Sequence, residues 1–156
     1  MRTRRFALVA ALVTCLLPAA IADGQQGVER PFTLTGHSQV VITFTTNCYP
    51  GSQYFPVGCP YAGRGEGVAS HLGRITTTDV GVFPNGGALI VGANEDQLIL
   101  ATDNAIGLMT IAGGTGRFEG ATGVAIAVLT PVGEPIVGAG SVTQSYTWTA
   151  EGKIKY

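Results

Sequence analysis

Ser70 beside His71 sets a nucleophile next to a base. Neighbours on an extended strand point to opposite faces, so the two cannot share the hydrogen bond that such chemistry needs. His71 by itself could still face an interior as an acid or base, flanked on its own side by Ala69 and Ile75. Arg74 and Glu66 lie in the same extended stretch, where either could enter a cavity and polarise a ligand or stand at a rim in a surface pair. His71, Arg74 and Glu66 are therefore the candidate ligand-binding residues. No catalytic residue is assigned, because no pair of carboxylates is placed for shared acid–base work. Two histidines and a few cysteines supply no metal-ligand set, and no cofactor motif is present.

The N-terminus reads as a secretory signal. Arg2, Arg4 and Arg5 form its positive end, residues 6–17 an apolar run too short to span a bilayer, and Ala20-Ile21-Ala22 a small-residue cleavage pattern. The expected division is a signal peptide over 1–22 and one domain over 23–156, secreted or periplasmic after cleavage near Ala22. In that setting Cys48 and Cys59, a lone pair in a Pro- and Gly-rich segment, are expected to form a disulfide. Closing so short a loop stabilises a fold by roughly 2–3 kcal/mol. Tyr49, Tyr54, Phe55 and Tyr61 crowd the tied loop, 47–64, where burial is hard to complete, so a partner-binding surface is sought there first. Tyr146 and Trp148 project to one side of one strand and suit an aromatic binding face or a core equally.

The elements that must hold these residues are strands. Beyond residue 23 Gly recurs every few positions, Val, Ile and Thr are plentiful, and helix-favouring stretches are scarce. Turn residues at Pro84-Asn85-Gly86-Gly87, Asn94-Glu95-Asp96, Asp103-Asn104, Gly113-Gly114-Thr115-Gly116 and Pro131-Val132-Gly133-Glu134-Pro135 mark successive hairpins. The run from Gly65 to Phe83 is too long for a small domain and is expected to break at Gly73, with a further bend near Gly36-His37. Eight strands follow, over 31–46, 66–72, 74–83, 87–94, 97–102, 105–112, 117–130 and 135–149. The expected fold class is all-β, a single antiparallel eight-stranded β-barrel, since closure removes the unpaired edges of so apolar a chain, with a two-sheet sandwich as the alternative.

Several strands are apolar at consecutive positions, as in Ala88-Leu89-Ile90-Val91 and Leu98-Ile99-Leu100-Ala101. In 124–129 the bulky Val124, Ile126 and Val128 share one face while Ala125 and Ala127 share the other. With one face lining a barrel, the other needs a cover, and a homo-oligomer is expected. Once the signal is removed, six basic residues remain against ten acidic, a net charge of −4, and the basic residues are scattered. Nucleic acid is not an expected partner. No later stretch is long and apolar enough for a membrane span.

Gly113-Gly114-Thr115-Gly116-Arg117-Phe118 resembles the glycine-rich turn-and-strand motif of the dirigent and allene-oxide-cyclase barrel superfamily. Glu119-Gly120-Ala121-Thr122-Gly123, Ala69-Ser70-His71-Leu72-Gly73-Arg74 and Gly152-Lys153-Ile154-Lys155-Tyr156 look like small secreted bacterial proteins of this type. The resemblance implies an eight-stranded antiparallel barrel with an apolar central cavity, assembled as a trimer. The motif is a turn feature, because Gly permits positive φ and close chain approach, and it carries no chemistry. It does not open a helix, so it is no phosphate loop. The expected function is non-enzymatic binding of a small apolar ligand or a protein partner. The alternative is an isomerase or cyclase of the allene-oxide-cyclase type acting in the cavity.

Overall fold

The computed structural model describes residues 27–46, 48 and 57–156. The signal segment, Tyr49, Tyr54 and Phe55 lie outside them. Eight strands form one closed barrel in which each pairs antiparallel with its sequence neighbours and β1 closes on β8. They are β1 (Glu29–Thr43), β2 (Pro60–Ala69), β3 (Gly73–Val82), β4 (Asn85–Gly92), β5 (Gln97–Asp103), β6 (Leu108–Gly114), β7 (Thr122–Val137) and β8 (Ser141–Lys155). A single 3-10 turn, Gly116–Phe118, interrupts the series, and no α-helix occurs among the described residues.

The period of two decides what enters the barrel. In β1, Phe32, Leu34, Ser38, Val40 and Ile42 are buried while the odd-numbered residues between them are exposed. In β7 the small Ala125 is buried and the bulky Val124, Ile126 and Val128 face outward, each more than half exposed. The roomy side of that strand is thus the inside.

Most strand bounds shift from the sequence reading, the last strand from 135–149 to Ser141–Lys155, and four differences have a plain physical reason. The bend near Gly36-His37 is absent: β1 runs through it, and Gly36 is needed because a Cβ there would strike the Trp148 ring and the Glu66 carbonyl. β2 begins at Pro60 instead of 66, so the end of the expected loop 47–64, residues 60–64, is strand. Gly63, Gly65 and Gly67 conceal it, since glycine weakens a strand signal while leaving inward space for neighbours. The strand expected from 117 starts at Thr122, because the 3-10 turn first drives Phe118 into the core. Finally, 131–135 is no turn. β7 continues to Val137 with irregular register between Val132 and Ile136, and the chain reverses at residues 138–140. Pro131 and Pro135 are tolerated because β7 pairs with β6 only up to Ile126 and is an edge beyond it. The amide of Gln144 holds the irregular part, donating to the Val132 carbonyl at 3.1 Å.

Candidate ligand-binding site

The two ends of the barrel are packed differently. At one end Phe32, Ile154, Leu98 and Phe118 fill the interior. At the other a smaller cluster of Val40, Ile42, Cys59 and Tyr146 lies beside the Cys48–Cys59 disulfide and Tyr61. Between them is a cavity of about 380 Å³. Leu34, Val40, Ile90, Leu100, Met109, Ala127 and Ala150 give it apolar walls, and residues 104–107 of the β5–β6 turn stand at its mouth. That volume is in the range of small-molecule sites.

Alternation along β3 brings Ile75, Thr77 and Asp79 to the inner face. Asp79 lines the cavity, and among the described residues its carboxyl makes no hydrogen bond or ion pair. Burial raises its pKa above the ordinary carboxylate value. Gly63, its partner on β2, makes its position possible: a Cβ there would overlap the carboxyl. Tyr61 uses the same device one pair nearer the mouth, where its hydroxyl lies over Gly86 and accepts a hydrogen bond from Asn104 Nδ2 at 2.8 Å. Tyr146 and Trp148 both face inward and line the cavity, and burial raises the pKa of Tyr146. Ser38 and Thr77, both buried, add hydroxyls to the wall.

None of the three residues put forward from sequence lines this cavity. Glu66 stands outside the barrel beside His37, whose Nε2 is 3.4 Å from its Oε1, with both side chains about two-thirds exposed. Arg74 is exposed near the start of β3. His71 is not on a strand: it sits in the β2–β3 turn with φ of 70°, its Nε2 2.8 Å from the Pro31 carbonyl. Ser70, in the same turn, accepts a hydrogen bond from the Thr33 amide at 2.9 Å, so the pair serves to fasten β1.

Asp79 was missed, although two signals in the sequence point to it. It follows Ile75 and Thr77 at alternate positions of a strand, and Gly63-Arg64-Gly65-Glu66-Gly67 alternates glycine with charge. Such alternation places the glycines on one face and so leaves room there for something large or polar.

The glycine-rich motif closes the filled end. Gly116 has φ of 60°, and a Cβ on it would overlap the Asp96 carboxyl. Arg117 donates from Nε to Asp96 Oδ2 at 2.7 Å and from an Nη to the His71 carbonyl at 2.6 Å, tying three turns together. Phe118 beneath it packs on the Tyr156 ring at 4.8 Å.

No family model matches the chain and no curated protein matches it. Among solved structures it is similar to the pterocarpan synthase dirigent protein GePTS1, at 19% identity and a TM-score of 0.47, over 85% of this chain and 88% of that one. The fold itself is a closed, antiparallel barrel of eight strands.

Proposed function

We propose that this protein is a non-enzymatic binding barrel that takes a small, largely apolar molecule into its interior. One observation carries the reading: a cavity of about 380 Å³, apolar along its walls and bounded at one end by a packed core. Burying an apolar ligand there gains roughly 25 cal/mol for each Å² removed from water. The test is titration with the neutral apolar fluorophore N-phenyl-1-naphthylamine, read by its own emission and by quenching of Trp148, the only tryptophan. Saturable binding at one site per chain supports the reading, and emission unchanged from buffer overturns it. Native mass spectrometry of protein taken from its source identifies the natural ligand by mass.

A second reading, an isomerase or cyclase working in the same cavity, is favoured by the carboxyl of Asp79. A half-buried acid whose pKa is raised can hold a proton and deliver it to a bound molecule. If it does, the molecule recovered from wild type is an isomer of the one recovered from Asp79→Asn. Identical molecules from both leave binding alone.

The protein is further proposed to be exported and to self-associate. A disulfide is maintained in an oxidising compartment, and among the described residues no helix is long and apolar enough to cross a membrane. Val124, Ile126 and Val128 form an outward apolar row that a second copy would cover. A mature N-terminus at Asp23 and a multiple of the chain mass in light scattering are the expected results. An uncleaved leader or a monomer at micromolar concentration contradicts them.

A further inference from the structure

We propose that the molecule the cavity is built for is a basic amine with an apolar body, held by its ammonium group on the carboxylate of Asp79. The proposal rests on the binding-barrel reading above and deepens it. Among the described residues Asp79 is the only charged side chain lining the cavity, and no Lys, Arg or His accompanies it there. Its carboxyl is without a hydrogen bond or ion pair among the described residues, while the Asp96 carboxyl at the filled end is paired with Arg117 and Asn94. A half-buried carboxylate without a counter-ion gives up part of its hydration, and the fold already bears that cost. The fold also keeps two glycines, Gly63 and Gly65, on the inner face opposite Asp79 and Thr77, and a side chain at Gly63 would displace the carboxyl.

The chemistry of the surroundings selects among ligands. An anion would meet Asp79 with like charge and find no cation in compensation. A neutral molecule would fill the apolar part and leave the carboxylate desolvated. An ammonium group satisfies it by a charge-assisted hydrogen bond. Tyr61, Phe83, Tyr146 and Trp148 line the same cavity, and aromatic faces attract a cation further while covering the apolar body. A carboxylate at one end of an aromatic-walled cavity is therefore complementary to an aryl- or alkylammonium ion and to neither of the other two classes.

Three probes of one shape decide the matter on the intact protein at neutral pH: 2-(1-naphthyl)ethylamine, 2-(1-naphthyl)ethanol and 1-naphthylacetate. Calorimetry on wild type is expected to show the amine bound at least about tenfold tighter than the alcohol, the gain usual for a hydrogen bond to a charged group, and the acetate weakest. Asp79→Asn, nearly the same in shape, is expected to remove that preference while leaving the alcohol within about twofold of its wild-type affinity, which also shows that the variant folds. An alcohol bound as tightly as the amine by wild type, or an amine preference that survives Asp79→Asn, overturns the amine inference and leaves the binding barrel standing. Failure of all three probes and of the neutral fluorophore overturns both.

Discussion

The filled end of the barrel and its open end are made from the same strands, and they differ only in what occupies the inward positions. β1 sends Phe32 and Leu34 into one end and Ser38 toward the other; β8 sends Ile154 into one and Tyr146 toward the other. At the filled end large apolar side chains meet, and polar groups are kept outside in the Arg117, Asp96 and Asn94 network. Toward the open end glycines face Tyr61 and Asp79, so space and polarity remain inside. The first end supplies stability and the second spends some of it on a cavity, a separation that mutations should expose.

The largest effect is expected from Phe118→Ala, which empties a fully buried site. It should cost about 3–5 kcal/mol in denaturant unfolding. Because Phe118 does not line the cavity, the surviving folded fraction should bind the apolar fluorophore unchanged. A loss of affinity in that fraction would show that the two ends are coupled. Next, replacing Cys48 and Cys59 together by Ala should lower stability by about 2–3 kcal/mol. Here the open end is struck, so affinity should fall as well.

Arg117→Ala should cost less than Phe118→Ala, since the guanidinium is about half exposed. Its signature would be faster hydrogen exchange in the three turns it joins, with the disulfide end unaffected.

The smallest contrast is in pH dependence, where the two aspartates act with opposite sign. Hydrogen bonds from Arg117 and Asn94 hold the Asp96 carboxyl below its ordinary value of 3.8, so its contribution is present above that value and is lost as pH falls through the depressed folded one. Burial raises Asp79, so the folded state holds its proton more tightly than the unfolded chain does. That contribution is present below 3.8 and is lost as pH rises through the raised folded value. At neutral pH, Asp96→Asn should therefore be less stable than wild type and Asp79→Asn more stable. Both differences should shrink in acid below 3.8, measured by urea midpoints across the range. Equal behaviour of the two variants would mean that the ends do not differ in how they hold charge.

Much of the barrel was legible in the sequence because strands announce themselves by alternation and their ends by turn residues. The antiparallel order, the break just before Gly73, the disulfide and the division of β7 into a bulky and a small face all follow from local pattern. The site was not legible. His71, Arg74 and Glu66 drew attention as polar residues in extended chain, yet each lies in a turn or on the outer surface.

The chain by itself determined which residues could be strand and which faces were apolar, since both depend on spacings of two to four residues. Only the closed structure decided that Gly63 lies opposite Asp79 and that Gly36 lies beneath Trp148. Those meetings join residues 16 and 112 positions apart through barrel registers, and register is a property of paired strands that no single strand carries.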